Sequence, residues 1–266
     1  MIPTVRSDSP PLVAPTRIRP GVMVQRWERL TFLHWPGEPE LVQRRLPPGL
    51  EPDLFDGAAW VGLIPFRLTV GLPWMPRIPW VSTFLEANVR TYVRGPDGER
   101  GIWFLSLDAE RLGAVAVARR VYRLPYVWAR MRQREADGTI VYESRRLWPG
   151  PEAPSFRVAV APGTPVPAAE LSELERFLIC RWRLYTPAAL GLPPSGFEFV
   201  ATKVDHPPWP VRRARVIEIR QELTAAAGLQ VQGSPLAHFS PGVKVRFDRR
   251  RSVSTRHERS VSSSIP

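Results

Sequence analysis

Two turn signals, each lying between runs of strand-forming residues, constrain the fold of this chain more than any other feature. One is Gly95-Pro96-Asp97-Gly98, between 84–93 and 102–109; the other is Asp137-Gly138, between 128–135 and 139–147. Because glycine readily adopts the positive φ that a tight reversal needs, both segments are predicted to be antiparallel hairpins. A chain with repeated hairpins is expected to be built mainly from β-sheet.

The remaining segments combine further strands with a few helices. Strands are predicted at 23–35, 57–70, 156–160, 198–204, 213–219 and 243–247. Helices are predicted at 38–45, 110–123 and 168–185, the last because Leu171, Leu174 and Leu178 fall on one face. This mixture predicts a mainly β, α+β fold: an antiparallel β-barrel with helices packed outside it.

Composition indicates one folded domain between two tails. Residues 1–22 are rich in proline and 248–266 in arginine and serine, so both are predicted to be flexible tails, with a single domain over 23–247. The longest uncharged apolar stretch, 57–66, is far shorter than the roughly 20 residues of a membrane-spanning helix. With one cysteine and no signal-peptide pattern, we expect a cytoplasmic chain without membrane association.

The net charge of +12 raises the question of a nucleic-acid partner. Much of this charge lies in the C-terminal tail, and no nucleic-acid-binding motif accompanies it, so we expect no specific nucleic-acid partner. The sequence has no phosphate loop, no nucleophile elbow and no histidine pair at metal-ligand spacing. We therefore expect no cofactor and no metal, and a small molecule as partner; a homo-oligomer is compatible with the sequence.

The segment 82–93 gives the strongest indication of a site. As a strand it alternates between an apolar face and a face that carries Ser82, Phe84, Glu86, Asn88, Arg90 and Tyr92. The next strand adds Ser106 and Asp108 to one of its faces. Two neighbouring carboxylates could line a pocket inside a barrel and act as general acid or base. Alternation alone fits the solvent face of an antiparallel sheet even better, with an ordinary cross-strand ion pair.

Several short segments share their residues and their order with one known family. They are Phe32-Leu-His-Trp35, Leu46-Pro-Pro-Gly49, Glu86-Ala-Asn-Val-Arg-Thr-Tyr-Val93, Tyr122-Arg-Leu-Pro-Tyr126, Arg181-Trp-Arg-Leu-Tyr185, His206-Pro-Pro-Trp-Pro210 and Phe239-Ser-Pro-Gly-Val243. Over about residues 24–247 the chain resembles the YqjF-like family, the 2071 family of domains of unknown function. That family is related to acetoacetate decarboxylases, so the resemblance implies a cone-like antiparallel β-barrel with a ligand cavity.

The resemblance also bears on the chemistry. In acetoacetate decarboxylases a lysine forms a Schiff base with a keto acid, and an adjacent lysine lowers its pKa. In the matching stretch here, Tyr126-Val127 replaces the lysine pair, which implies that no imine forms at this place. Glu86 matches a decarboxylase active-site glutamate in position, and Arg29 is a weaker match to an early arginine. Lys203 and Lys244 are interpreted as surface strand positions, because neither has a second lysine nearby in sequence.

Two functions are compatible with these residues. The first is a lyase- or isomerase-like enzyme acting on a small organic acid or keto compound without an imine. Glu86 would transfer a proton, Tyr126 would hydrogen-bond a carbonyl or enolate oxygen, and Arg90 or Arg29 would hold a carboxylate. Asn88, Ser106 and Asp108 would complete the ligand site. The alternative is a non-catalytic sensor or carrier, which loss of the lysine pair favours modestly.

Overall fold

The computed structural model describes residues 10–71, 82–150, 152–188 and 198–254, and every structural statement below concerns these residues. Thirteen strands form one sheet. They are β1 Met23–Gly37, β2 Glu51–Pro52, β3 Ala59–Gly71, β4 Thr83–Arg94, β5 Arg100–Ala109, β6 Tyr126–Ala136, β7 Thr139–Trp148, β8 Ser155–Pro165, β9 Arg183–Pro187, β10 Glu198–Asp205, β11 Arg212–Gln221, β12 Leu236–Phe247 and β13 Arg251–Ser254.

The helices are short and lie between the strands. They are α1 Pro39–Gln43, α2 Leu112–Val117, α3 Glu173–Ile179 and α4 Leu223–Ala226, with a π-helical turn at Ala118–Tyr122 and a 3₁₀ turn at Ala168–Glu170. The mainly β prediction is confirmed. Both predicted hairpins are present, as the antiparallel pairs β4–β5 and β6–β7.

The strand pairings return to the strand from which they start. From β5 the order runs through β6, β7, β8, β11, β12, β1 and β3 to β4, which pairs with β5 again. We call these nine strands the circuit. Strands β9 and β10 form a second connection, from β5 to β12. The prediction of a wholly antiparallel sheet is wrong at β5, which runs parallel to both β6 and β9. A helical crossover, here α2 with the π-helical turn, allows a parallel neighbour.

The sheet has an apolar cluster on each side. The circuit cluster contains residues from the strands of the circuit, such as Leu33, Leu63, Val89, Met131 and Val158. The helix-side cluster lies on the opposite face, between the sheet and the helices α2 and α3, and includes Phe32, Phe66, Tyr126, Phe177 and Leu178. Strand β4 therefore has both faces buried. The solvent-face interpretation of 84–93 is wrong, since Glu86, Asn88, Arg90 and Tyr92 are at most 8% exposed.

The predicted helix 168–185 is also wrong in its extent. A capping box begins α3 at Ser172, whose hydroxyl accepts from the Glu175 N–H at 3.1 Å while the Glu175 carboxylate accepts from the Ser172 N–H at 2.8 Å. The helix ends at Ile179, and Cys180, which follows it, has a non-helical ψ of 82°. The chain then forms β9, in which Tyr185 pairs with Trp103. Strand pairing thus overrides the helical pattern after Cys180.

Parts of both predicted tails contact the domain. In 10–22, Ile18 is buried and donates its N–H to Asp205, and the Pro11 carbonyl accepts from the Trp182 indole at 2.9 Å. At the other end, β13 pairs with β10. The prediction of flexible tails is therefore not met by 10–22 and 251–254, while 1–9 and 255–266 lie outside the described residues. Within the described ranges, no helix combines the length and apolar character of a bilayer-crossing segment.

Candidate functional site

Glu86 lies on β4 between two apolar neighbours. Its cross-strand partners are Phe66 of β3 and Ala109 of β5, and the residue is 4% exposed. Because these neighbours exclude water, burial raises the pKa of the Glu86 carboxyl to about 7. A carboxyl with this pKa can both take up and release a proton near neutral pH.

Tyr126 is the partner of Glu86. It is the first residue of β6, where it pairs with Leu107 and joins the helix-side cluster. The Tyr126 hydroxyl donates a hydrogen bond of 2.7 Å to Glu86 Oε2, which lowers the pKa of Glu86 and opposes the effect of burial. Burial and the Glu86 carboxylate raise the pKa of Tyr126 well above its usual value, so its hydroxyl stays protonated. The structure therefore brings these two predicted residues together.

The crossover from β5 to β6 covers this side of the sheet. Val115 of α2 is buried in the helix-side cluster, and the π-helical turn follows directly. From that turn the Arg119 guanidinium donates to the Tyr126 carbonyl at 2.6 Å, which fixes the start of β6. Single π-helical turns are frequent at functional sites, so the π-helical turn over this side of the sheet is consistent with a functional site here.

Asn88 lies on the same face of β4, two residues beyond Glu86. It is 5% exposed, and its cross-strand partners are Ile64 and Leu107. Its side-chain oxygen is buried and has no hydrogen-bond partner. An unpaired buried amide oxygen is destabilising, so Asn88 can accept a hydrogen bond from a polar group placed beside Glu86.

Arg90 has partners away from Glu86. Its guanidinium donates to the Tyr92 hydroxyl and to the Leu178 carbonyl of α3, both at 3.1 Å. The Tyr92 hydroxyl also donates to Leu178 at 2.8 Å and lies 2.7 Å from Nε2 of His34. Burial, together with the positive charge of Arg90, lowers the pKa of His34 well below its usual value. Arg90 thus helps to anchor α3 on the sheet.

Ser106 and Asp108 do not join Glu86. In register with β4, Asp108 lies opposite Ala87 and Ser106 opposite Val89, which places both on the circuit side of the sheet. A bulge at Leu105, between Phe104 and Ser106, shifts the pairing by one residue. The prediction that the carboxylates of both strands line one pocket is therefore wrong. A shift of one residue exchanges the faces of a strand, and the sequence does not give the register.

The Asp108 carboxylate instead belongs to an ion-pair cluster. Arg146 donates to Asp108 at 2.9 Å and to Ser106 at 2.8 Å, and the Ser144 hydroxyl donates to Asp108 at 3.3 Å. Burial raises the pKa of Asp108 to about 6, although the Arg146 charge opposes the rise. Sequence reasoning missed Arg146, because the contact spans β5 and β7 and no local pattern signals it.

Arg29 is also wrongly assigned to the site. Its side chain is 43% exposed and forms an ion pair with Glu135 near the end of β6. Glu135 is nine residues from Tyr126, which corresponds to roughly 30 Å along an extended strand. Arg29 has a φ of 52° and lies where the register of β1 with β3 is interrupted. Its role here is local to this end of the sheet.

The cavities of the described structure include three of about 450, 400 and 380 Å³. Glu86 and Tyr126 do not line them. Their neighbours do: Pro125 and Phe104 line the cavity of 450 Å³. Lys203 lines the cavity of 400 Å³, and Lys244 is exposed on β12. Among the residues that the structure describes, no group of three or more His, Cys, Asp or Glu side chains could hold a metal ion.

A family model described as an uncharacterized conserved protein, the 2071 family of domains of unknown function, matches residues 24–244. The chain belongs to this family. It is 32% identical over 228 residues to the uncharacterized protein YqjF of Bacillus subtilis (strain 168), a match that covers 85% of this chain and 90% of YqjF. The resemblance found in the sequence is therefore confirmed.

Solved structures of similar fold are acetoacetate decarboxylase-like. The acetoacetate decarboxylase of Legionella pneumophila has a TM-score of 0.60 and 15% identity, covering 90% of this chain and 92% of that chain. A further acetoacetate decarboxylase structure has a TM-score of 0.63 and 14% identity, and the match covers 92% of each chain. The enduracididine biosynthesis enzyme MppR, complexed with the condensation product of pyruvate and imidazole 4-carboxaldehyde, reaches 0.61 at 13% identity, covering 96% and 94%. The YqjF-like chain thus shares the fold of these proteins.

Proposed function

We propose that this chain binds a small organic acid or keto compound beside Glu86 and transfers a proton to or from it without forming an imine. One observation carries the proposal: a buried carboxyl with a pKa of about 7, hydrogen-bonded to the Tyr126 hydroxyl. Perturbed buried groups of this kind are common at catalytic sites. The unpaired oxygen of Asn88 on the same face supports a ligand at this place.

The closed circuit of strands is, in this proposal, the cone-like barrel of the acetoacetate decarboxylase-like fold. The double pairing of β4, with β3 and with β5, supports closure. The cluster common to the circuit strands would then fill the interior. Glu86 faces the helix-side cluster instead, so the ligand would bind between the barrel wall and the covering segment of α2 and the π-helical turn.

The proton transfer uses groups whose protonation states suit it. The Glu86 carboxylate removes a proton from the carbon next to a carbonyl, and the bonding electron pair moves onto the carbonyl oxygen. The Tyr126 hydroxyl, which stays protonated, then donates its hydrogen bond to this oxygen instead of to Glu86. Return of the proton from Glu86 to the same carbon restores the keto compound with exchange against solvent, and its return to the far end of a conjugated double bond in the substrate would complete an isomerisation.

Imine formation is excluded from the proposal by the positions of the lysines. Tyr126-Val127 stands where the resemblance places the decarboxylase lysine pair. Lys203 lies on β10 opposite Arg183, and Lys244 lies on β12 opposite Arg26. Borohydride reduction in the presence of acetoacetate should therefore leave the mass of the protein unchanged. A stable adduct on either lysine would contradict this part of the proposal.

Arg90 remains the residue predicted to bind the carboxylate of a ligand. It lies on the same face of β4 as Glu86, four residues away. Its bonds to Tyr92 and Leu178 hold the guanidinium in place without an acidic partner in those contacts. A ligand carboxylate that reaches it would add a charge-assisted bond to a preoriented donor. Arg90 is accordingly assigned the role of orienting an acidic ligand.

Binding is tested by the thermal shift that acetoacetate, pyruvate or acetate produces at pH 7. A ligand at ten times its Kd stabilises the folded state by about 1.4 kcal/mol, which corresponds to a Tm rise of roughly 3 °C. We expect the shift in the parent chain and in Glu51→Gln, an exposed control, but not in Glu86→Gln. Equal shifts in all three proteins would contradict a site at Glu86.

The non-catalytic sensor or carrier is the second candidate. It is favoured by the fact that Glu86 and Tyr126 satisfy each other within a buried site. Both candidates require ligand binding, and only the first requires proton transfer to the bound compound. Isotope exchange into a bound keto compound therefore separates them.

A further inference from the structure

Strand β5 changes neighbours along the edge that faces away from β4. Residues 102–103 pair with β9 and residues 107–109 pair with β6, whereas 104–106 pair with neither of these strands. The cavity of about 450 Å³ lies at this split, against Phe104, Leu105 and Pro125. Its volume is within the range of about 300–1,000 Å³ that is usual for small-molecule sites.

Three arginines line this cavity, one from the segment after α1 and two from the crossover between β5 and β6. Arg45 follows α1, Arg119 belongs to the π-helical turn, and Arg123 comes shortly before β6. The described residues that line the cavity include no aspartate or glutamate. Positive charges that share a cleft repel one another and attract anions, and the apolar walls strengthen their field. The cavity is therefore electrostatically suited to an anion.

Specific contacts position two of the three guanidinium groups, those of Arg45 and Arg119. Arg45 donates to the Gly228 carbonyl at 3.2 Å, and a side chain at Gly228 would collide with the Arg45 guanidinium. Arg119 donates to the Tyr126 carbonyl and packs 5.1 Å from the ring centre of Trp148. Such contacts hold two of the three charges at the cavity in defined positions.

Arg123 supplies the most direct indication of a ligand. Its Nη1 is buried and has no hydrogen-bond partner. Its backbone has a φ of 56°, a conformation that is uncommon for a residue with a side chain. A buried guanidinium nitrogen without an acceptor is destabilising, and an anionic oxygen would satisfy it.

We propose that this cavity binds an organic anion, with its carboxylate or phosphate group on Arg123 and Arg45 and its apolar body on Phe104, Leu124 and Pro125. The site is separate from the proton transfer proposed at Glu86. Its edge meets that site through Arg119, which lines the cavity and donates a hydrogen bond to the backbone carbonyl of Tyr126. Apolar walls together with arginines favour an aromatic or aliphatic acid or phosphate ester over an inorganic ion.

Isothermal titration of the full chain with phenyl phosphate, benzoate and inorganic phosphate tests this site. We expect at least one of the two organic probes to bind more tightly than inorganic phosphate. Arg45→Gln and Arg123→Gln should each weaken that binding by about tenfold or more, the loss expected for one charge-assisted hydrogen bond. The matched controls Arg44→Gln and Arg120→Gln, at exposed neighbouring positions, should change it by less than about twofold.

Three results would overturn the proposal. One is the absence of organic-probe binding to the parent chain at millimolar concentration. Another is equal weakening by all four substitutions, which would show attraction to surface charge alone. The third is unchanged affinity in Arg45→Gln, which would place the probe elsewhere, including at Glu86. Circular dichroism shows whether Arg123→Gln is folded. If it is not, Arg45→Gln still decides the test, because Arg45 is exposed and its replacement should leave the fold intact.

Discussion

Replacement of Glu86 by glutamine should make the protein more stable at high pH. The Glu86 carboxyl is buried and its pKa is raised from 4.5 to about 7, so the folded state prefers the protonated form. As the pH rises through this interval, the unfolded chain ionises more readily than the folded one, and stability is lost. Glutamine is neutral at every pH and can still accept the hydrogen bond of Tyr126.

The size of the effect follows from the shift. A difference of one pKa unit corresponds to about 1.4 kcal/mol, so ionisation of Glu86 destabilises the folded state by roughly 3 kcal/mol at pH 8. At pH 5, where the folded carboxyl is protonated, the corresponding loss is only about 1 kcal/mol. The stability difference between Glu86→Gln and the parent should therefore grow by roughly 2 kcal/mol between pH 5 and pH 8.

Urea denaturation followed by circular dichroism at several pH values measures this difference directly. Glu51→Gln, a substitution at an exposed position, serves as the control and should show the same dependence of stability on pH as the parent. A constant difference between Glu86→Gln and the parent over this range would refute a raised pKa. So would a difference that shrinks as the pH rises.

Two further substitutions test the contacts around the sheet. Tyr126→Phe removes the hydrogen bond that lowers the pKa of Glu86, so the fall in stability with rising pH should begin at the same pH but continue to a higher pH. The lost hydrogen bond should also cost about 1 kcal/mol at low pH. If the free energy of unfolding of Tyr126→Phe showed the same dependence on pH as that of the parent, this prediction would be contradicted. Arg146→Gln leaves Asp108 buried without its cation, so the free energy of unfolding should fall by about 3 kcal/mol at pH 8 and by less at pH 5. The control Arg145→Gln, at an exposed position, should change this free energy by no more than about 0.5 kcal/mol. Denaturant titrations measure both changes. Equal effects of the two arginine substitutions would show that the ion pair contributes nothing.

The sequence was sufficient for the local features of the fold. Hairpin turns at 95–98 and 137–138, and alternation in 84–93, depend on neighbouring residues and were predicted well. The family resemblance added the relation between Glu86 and Tyr126, which are 40 residues apart and in contact. No spacing rule would have brought these two side chains together.

Features that depend on long-range pairing were not predicted. The bulge in β5 placed Asp108 on the opposite face from Glu86, and only the register of two strands determines this. Tyr185 was assigned to a helix because its segment continues a helical pattern, but pairing with β5 and β10 makes it part of a strand. The arginines of the cavity of about 450 Å³ were missed because Arg45 lies far along the chain from Arg119 and Arg123.

Hydrogen–deuterium exchange into a keto compound tests the central claim most directly. The parent chain is incubated with 2-ketobutyrate or acetoacetate in D₂O, and loss of the hydrogens next to the carbonyl is followed by proton NMR. Proton transfer by Glu86 predicts exchange above the uncatalysed rate in the parent and in Glu51→Gln, with a loss of about 100-fold or more in Glu86→Gln. Binding of these compounds without accelerated exchange, or equal exchange in Glu86→Gln, would contradict the claim.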